Sequence, residues 1–139
     1  MSEVPLCRIM EPEDWEDLRD LAKENEFVFE NFDIDWSTAA PYWIVAHYQG
    51  ELMGAINISP GRPIGRMECL FLKPDASRKA KTLATLGLTN MGQARLARAG
   101  SQIVCGMIQE GEPTFWTAAL KYGWTELASG TMYARGVIQ

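Results

Sequence analysis

The spacing of apolar and polar residues divides the chain into segments typical of strands and of helices. Short apolar runs at residues 6–10, 42–48, 52–58, 66–72 and 103–108 predict β-strands. Trp15, Leu18, Leu21 and Ala22 recur instead at helical spacing, and the acidic residues between them fall on other faces of that helix. Residues 113–122 predict another helix, and residues 124–127 and 131–137 predict a final antiparallel pair of strands.

The longest predicted helix extends from Ser77 to about Ala99. This segment contains no proline and many helix-forming residues, and it is followed by Gly100, a residue type that commonly ends helices. Gly87 and Gly92 weaken a helix, so we expect close backbone packing at one or both. The apolar stripe is predicted to comprise Leu83, Leu86, Asn90, Ala94 and Ala97, with Leu88 and Met91 beside it.

The order of these elements predicts the fold class. Gln49, Gly50 and Glu51 join two β-prone runs and predict a hairpin, whereas residues 25–41 predict a short helix or an ordered loop. A strand–helix–strand unit over residues 66–108 predicts two parallel neighbouring strands joined by a crossover. With a length of 139 residues, we predict a single α/β domain over residues 1–139, a central mixed sheet with helices on both faces.

Charge is distributed unevenly along the chain, whose net charge is −5. Residues 1–35 hold 12 of the 18 acidic residues but only 3 of the 13 basic ones. Lys73, Arg78, Lys79 and Lys81 form a short basic cluster, which suits a compact polyanion and is too small for a duplex nucleic acid. A solvated surface run is the alternative interpretation of this cluster.

The cysteines, the histidine and the lengths of the apolar stretches indicate the redox state, the metal content and the location of the protein. Cys7, Cys69 and Cys105 are far apart within apolar runs, which predicts reduced, buried thiols, with a reactive thiol as the alternative. Three scattered cysteines and one histidine do not assemble a zinc or iron site, so we expect no metal. The chain opens without a secretory pattern and lacks an apolar stretch of about 20 residues, which predicts a cytoplasmic protein without a membrane partner.

The start of the long helix is the candidate anion site. The first N–H groups of a helix lack intrahelical partners and stand at the positive end of its dipole, so phosphate binds there readily. The basic cluster lies at this position, and we predict a phosphate-binding turn over residues 77–82. Neither a Walker loop nor a dinucleotide-binding glycine pattern is present.

Several motifs, in the same order along the chain, resemble those of the GNAT superfamily of acyl-CoA-dependent N-acyltransferases. They are CRIMEPED at residues 7–14, AHYQGELMG at 46–54, LFLKPD at 70–75 and LKYGW at 120–124. The resemblance implies a GNAT-like fold, acetyl-CoA or a related thioester as cosubstrate, and a small-molecule or protein amine as acceptor. The chain is also similar to small GNAT-like proteins encoded by tailed bacteriophages, some of which are particle components.

The resemblance further implies where the cosubstrate lies. Acyl-CoA would occupy a gap between the strand that ends at Leu72 and the strand at residues 103–108. It would pair with the backbone of Leu70 and Leu72, and Phe71 between them is included among the cofactor-binding residues. The pyrophosphate loop corresponds to Ser77, Arg78, Lys79, Ala80, Lys81 and Thr82, with Ala80 and Thr82 where the family has small glycine-like positions.

Acyl transfer to an amine needs a base and an acid. Glu68 is the candidate base, because it is a lone carboxylate in an otherwise apolar strand. An edge-facing or Arg66-paired structural glutamate is the alternative. The family's usual acid, a tyrosine, corresponds to Ala119, so Tyr122 is the candidate acid, with Tyr133 as a second possibility. His47 is predicted to be structural.

Two functions remain open from the sequence. The first is an N-acyltransferase, specifically an N-acetyltransferase. The second is a catalytically weak or inactive GNAT-like binding or structural protein, for example a phage particle component located in a virion, because the loop glycines and the tyrosine are absent. A homodimer or larger assembly is compatible with either function.

Overall fold

The computed structural model describes residues 4–27, 42–106, 121 and 123–125 of the chain. The chain divides into two units, residues 1–106 and 107–139, and every element below belongs to the first. The predicted helix at 113–122 and the predicted strands at 124–127 and 131–137 lie wholly or largely outside the described residues, as does the segment 28–41. The single domain over the whole chain stays a prediction.

Within the described residues, five strands form one mixed sheet, which confirms the predicted fold class. The strands are β1 Leu6–Ile9, β2 Trp43–Tyr48, β3 Glu51–Ser59, β4 Ile64–Leu72 and β5 Ile103–Gly106. Their spatial order follows the sequence; β1 to β4 pair antiparallel, while β4 and β5 pair in parallel. The helix α2, Arg78–Arg98, connects β4 to β5 and gives the predicted strand–helix–strand unit.

The helix α1, Trp15–Glu24, covers one face of the sheet and follows a short 3-10 helix, Pro12–Asp14. Its predicted apolar stripe is confirmed, because Leu18, Leu21 and Ala22 are buried and the partly buried Trp15 packs against their core cluster. They pack in one core cluster with Val45, Ala55 and Phe71 of the sheet. The predicted acidic positions on the other faces, Glu13, Glu16, Asp17 and Asp20, are exposed.

The helix α2 covers the opposite face, but with a different stripe from the predicted one. The predicted stripe was wrong because α2 carries apolar residues around its whole circumference, so spacing alone did not identify the inward face. The close packing expected at Gly87 and Gly92 is confirmed: a Cβ at Gly92 would lie 2.6 Å from Met67 Sδ, and one at Gly87 would lie 2.8 Å from Cys7 Sγ. The buried residues are Ala80, Ala84, Leu88, Gly92 and Leu96.

A β-bulge interrupts β4 where it approaches its end. Ala55 pairs with Phe71 and Asn57 pairs with Glu68, so Cys69 and Leu70 both stand opposite a single residue of β3. Cys69 adopts a positive φ of 54°, a conformation rare for residues other than glycine.

The bulge changes which side chains face each helix. Met67 lies beside Gly92 of α2, and Leu72 lies beside Gly54 of β3 on the side where Leu88 of the same helix also approaches, although five positions separate Met67 from Leu72. Regular alternation would have placed these two residues on opposite faces. The extra residue of the bulge shifts the alternation of side chains by one position. As a result, Glu68, Cys69 and Phe71 all lie on the sheet face that α1 covers.

The hairpin predicted at Gln49, Gly50 and Glu51 joins β2 to β3. Gln49 and Gly50, with φ values of 52° and 83°, form the two-residue turn between paired Tyr48 and Glu51, which confirms the hairpin. All three cysteines are free thiols, in agreement with the predicted reduced state, but each is only partly buried, whereas buried thiols were predicted. No helix in the described part of the chain is long and apolar enough to span a membrane.

Candidate functional site

The last residues of β4 present backbone groups away from β3. Lys73 N–H donates to Met53 O of β3 at 2.8 Å. Because backbone groups alternate in direction along a strand, those of Leu70 and Leu72 point to the side on which β5 pairs with β4. The described ladder between these strands extends only from the Ile64 pair to the Met67 pair. Leu70 and Leu72 therefore lie beyond that described ladder.

Phe71 differs from its two neighbours. Its ring belongs to the core beneath α1 and stacks on Trp43, with the ring centroids 6.1 Å apart. By the same alternation its backbone groups face Ala55 of β3. The structure thus gives Leu70 and Leu72, rather than Phe71, the orientation that a ligand along this edge requires.

The end of α1 is tied to the same edge of β4. Asn25 Nδ2 donates to Leu72 O at 3.0 Å and to Leu21 O at 2.9 Å. The Phe27 ring then lies 5.3 Å from the Phe71 ring, centroid to centroid. The sequence did not indicate the bond to Leu72, because an asparagine near a helix end signals only a cap.

Residues 77–82 form a helix start rather than a turn, which corrects the predicted position of the turn. Ser77 is the N-cap, its Oγ accepts the Ala80 N–H at 3.1 Å, and its carbonyl accepts the Lys81 N–H at 3.0 Å. The turn lies earlier, between the end of β4 and Ser77. Serine is a preferred N-cap residue, which explains why the helix begins directly after Ser77.

The first turn of α2, all of which the structure describes, holds no acidic residue. It carries Arg78, Lys79 and Lys81 instead, and positive side chains there oppose the positive end of the helix dipole. Lys81 Nζ donates to Pro74 O at 2.7 Å, so this ammonium lies over the turn that precedes the helix. A bound anion would relieve the unfavourable electrostatics of this helix start.

Lys73, the fourth member of the basic cluster, points elsewhere. Its Nζ lies 2.6 Å from Glu51 Oε2 at the β2–β3 turn, and this contact raises the pKa of Lys73. Both residues line an open depression of about 290 Å³ between α1 and the hairpin, together with Asp17, Asp20, Leu21, Glu24, His47, Gly50 and Leu52. The structure therefore places three, not four, of the clustered cations at the start of α2.

Ala80 and Thr82 stand where the resembled family has small residues in its pyrophosphate loop. Ala80 is 4% exposed, so its methyl group packs into the core instead of pointing to solvent. Thr82 Oγ1 donates to Arg78 O at 2.9 Å and thus lies back along its own helix. The methyl group of Ala80 does not cover the exposed side of the helix start.

Glu68 lies on the α1 face beside the bulge, with 32% of its side chain exposed. Its Oε1 is 3.7 Å from Nη1 of Arg66, whose side chain is 66% exposed. A pair this long and this exposed contributes little, so the contact with Arg66 leaves the carboxylate accessible. The candidate acid Tyr122, like Ala119 and Tyr133, lies outside the described residues.

Cys69 is adjacent to Glu68 and belongs to the same face. Burial raises the pKa of the Cys69 thiol to about 11, and the negative charge of Glu68 acts in the same direction. A thiol with this pKa stays protonated at neutral pH and is a poor nucleophile. Cys69 therefore shapes the bulge without offering a thiolate for acyl transfer.

A second charged cluster fixes the start of α1. Both guanidinium nitrogens Nη1 and Nη2 of Arg8 bond to the buried Asp14 carboxylate, which also accepts the Glu11 N–H at 2.9 Å. Arg8 holds the pKa of Asp14 below its ordinary value. His47 Nε2 lies 3.8 Å from Asp14 Oδ1, which supports the structural role predicted for this histidine. In the described part of the chain, no group of side chains is arranged to hold a metal ion.

Comparison with known proteins establishes the fold. No family model and no curated protein matches the sequence. Among solved structures, Ard1 from Thermoplasma volcanium superimposes with a TM-score of 0.73 at 17% identity, covering 90% of this chain and 85% of that one. The chain thus has the GNAT fold of the acetyltransferases.

Two further structures with this fold were determined with coenzyme A. Rv2747 from Mycobacterium tuberculosis, in complex with CoA and NLQ, gives a TM-score of 0.71 at 15% identity over 94% of this chain and 77% of that one. The aminoglycoside N-acetyltransferase AAC(6')-Iy, in complex with CoA, gives 0.65 at 14% identity over 97% of both chains.

Proposed function

We propose that this chain, which has the GNAT fold, is an N-acyltransferase that moves an acyl group from acetyl-CoA or a related thioester to an amine. The observation that carries the proposal is the start of α2, where Arg78, Lys79 and Lys81 surround a helix N-terminus without any acidic residue. This helix start follows the end of β4, where the backbone groups of Leu70 and Leu72 point away from β3. Solved structures of the same fold that contain CoA support this choice of cosubstrate.

The described residues fit such a cosubstrate. The pyrophosphate would accept hydrogen bonds from backbone N–H groups in the first turn of α2, with the Arg78 and Lys79 side chains adding charge. The pantetheine arm would lie along Leu70 and Leu72, whose backbone groups point away from β3. Ala80 does not obstruct this path because its methyl group is buried.

In the proposed reaction, the thioester supplies an activated acyl group. The acceptor nitrogen forms a C–N bond to the acyl carbon, the C–S bond breaks, and the electron pair leaves with sulfur. Glu68 takes the first proton that the acceptor ammonium must lose, because its carboxylate lies beside the bulge and remains accessible. Tyr122 is proposed to protonate the departing thiolate and to regain a proton from the nitrogen as the amide forms, so that one proton in total passes to Glu68 and from there to solvent.

The acceptor is proposed to be an amine on a small molecule or a protein. Two of the proteins with similar structures are aminoglycoside acetyltransferases, one of them in complex with sisomicin. A panel of primary amines that includes aminoglycosides, polyamines and short peptides is therefore the appropriate first screen for turnover.

One observation favours the alternative of a GNAT-like protein with weak or no catalysis. Ser77 Oγ already accepts the Ala80 N–H, which removes one backbone donor from the set available to a phosphate. If this bond persists against a ligand, the anion site is weakened and the protein functions as a binding or structural module. Acetyl-CoA affinity distinguishes the two possibilities.

Charge reversal at the two ends of α2 tests the proposed function. Arg78→Glu combined with Lys79→Glu is expected to weaken acetyl-CoA binding by about tenfold or more, because charge-assisted contacts to phosphate are lost. The matched control, Arg95→Glu with Arg98→Glu, makes the same change in charge in the last turn of the helix. It should alter the dissociation constant by less than about twofold.

Isothermal titration calorimetry with acetyl-CoA measures both variants against the original protein. Thermal unfolding shows whether each variant is folded, and the variant at the helix start should not be destabilised, since acidic residues there suit the dipole. Equal losses from the two variants, or no heat at millimolar acetyl-CoA with the original protein, would support the inactive alternative instead.

A further inference from the structure

Asn57 and Glu68 are neighbours across the β3–β4 ladder, directly beside the bulge. Ile58 contacts Gly92 of α2, so the preceding residue Asn57 faces the α1 side. Glu68 follows Met67, which also contacts Gly92, and faces the α1 side for the same reason. Residues that pair directly across two strands bring their Cβ atoms to within about 5.5 Å, so the two polar side chains lie together.

This polar pair borders an apolar surface. Trp43, Ala55 and Phe71 belong to the core cluster on the same face, and Cys69 packs against it. Trp43 is also the partner of Asn57 across the β2–β3 ladder. Asn57 and Glu68 are both only half-buried, so a ligand from solvent reaches them while one side remains against apolar side chains.

The described residues satisfy little of the hydrogen-bonding capacity of the Asn57 and Glu68 side chains. Within residues 4–27 and 42–106, Asn57 makes one such bond, a long one of 3.4 Å from Nδ2 to Tyr42 O. No donor from these residues reaches Asn57 Oδ1, and the Glu68 carboxylate has only the Arg66 guanidinium at 3.7 Å. As far as the described residues extend, two adjacent, half-buried acceptor groups thus have no donor within hydrogen-bond distance.

We propose that Asn57 and Glu68 together bind the primary ammonium group of the acyl acceptor, with Asn57 as a substrate-binding residue. This inference rests on the proposed function for the role of Glu68 as base. A primary ammonium has three N–H donors, of which one bonds to the Glu68 carboxylate and a second to Asn57 Oδ1. When Glu68 accepts its proton, the nitrogen stays bonded to Asn57 and its lone pair becomes available for attack.

The pair selects a primary amine over a quaternary one. A quaternary ammonium carries the same charge but has no N–H group, so it leaves Asn57 Oδ1 without a donor. Discrimination by an unpaired polar group is stronger than discrimination by size, because the desolvated acceptor loses its hydrogen bond.

Titration with two simple cations tests this proposal without knowledge of the natural acceptor. n-Butylammonium is expected to shift the resonances of the Asn57 side-chain amide and the Glu68 backbone amide in ¹⁵N–¹H spectra. Tetramethylammonium should shift them much less. Asn57→Ala should weaken n-butylammonium binding by about tenfold, the loss typical of a hydrogen bond to a charged group. Asn57→Asp, which keeps an acceptor oxygen, should restore the affinity for n-butylammonium.

Ser59→Ala is the matched control, because Ser59 lies two residues further along β3 on the same face and pairs with Arg66. It should leave n-butylammonium binding within about twofold of the original. Equal affinity for the two cations, or an Asn57→Ala variant that binds n-butylammonium normally, would overturn the proposal. Acetyl-CoA is titrated separately: n-butylammonium binding without acetyl-CoA binding would refute the proposed function while leaving this site intact.

Discussion

Replacing Glu68 with glutamine is expected to lower kcat/KM for acetyl transfer by about a hundredfold or more, within the range typical for loss of a general base. Glutamine keeps the size and the hydrogen-bonding oxygen of the side chain but does not accept a proton at neutral pH. The fold should be unaffected, because Arg66, the cation that Glu68 approaches in the described part of the chain, is 3.7 Å away and largely exposed. Steady-state kinetics with the best primary amine from the screen measures the change.

Glu51→Gln provides the matched control for this substitution. Glu51 is also on a sheet strand, but it is ion-paired with Lys73 at the hairpin, away from the bulge. Its kcat/KM should stay within about twofold of the original, as for most surface substitutions. If Glu68→Gln retains most of its activity, the proton leaves the acceptor by another route and Glu68 is structural.

Replacing Asp14 with alanine is expected to destabilise the protein by about 2–3 kcal/mol, since breaking a largely buried hydrogen-bonded pair leaves its partners unsatisfied. The Asp14 side chain is 9% exposed and bonds to both Arg8 and the Glu11 N–H. The estimate lies below that for a fully buried pair, because 41% of the Arg8 side chain is exposed and water satisfies part of it. Urea denaturation at neutral pH measures the loss.

Asp14 also makes the stability of the protein depend on pH. Arg8 lowers the pKa of Asp14 in the folded protein, and burial opposes this only in part. The stabilisation is therefore fully present above the ordinary aspartate pKa of about 4 and is lost as the pH falls through the lower folded value. Asp14→Asn should remove this acid-side component, whereas Asp17→Asn, on an exposed face of α1, should preserve it. Identical acid profiles for both variants would contradict the assignment.

The sequence was sufficient to predict the β4–α2–β5 unit, because its signals are local. Apolar runs marked the strands, the proline-free segment marked the helix, and Gly100 marked its end with a φ of 102°. The sequence also indicated the close packing at Gly92, since a glycine in mid-helix usually implies a close neighbour. Each of these inferences depended on a few adjacent residues.

The parts of the site that were missed depend on long-range geometry. The bulge at Cys69 has no sequence signature, because a cysteine rarely adopts a positive φ and glycine is the residue expected there. Without the bulge, neither the face of Glu68 nor its pairing with Asn57 follows from strand periodicity. The inward face of α2 was likewise decided by the sheet it packs on, which selected the row containing Ala80 over the row containing Leu83.

A structure determined with acetyl-CoA present would show whether the start of α2 and the edge of β4 form the cosubstrate site. We expect phosphate oxygens within hydrogen-bond distance of the first turn of α2, the pantetheine arm along Leu70 and Leu72, and the thioester beside Glu68. A pyrophosphate bound elsewhere, or no bound CoA at saturating concentration, would contradict the proposed function and indicate that the GNAT fold serves another purpose in this protein.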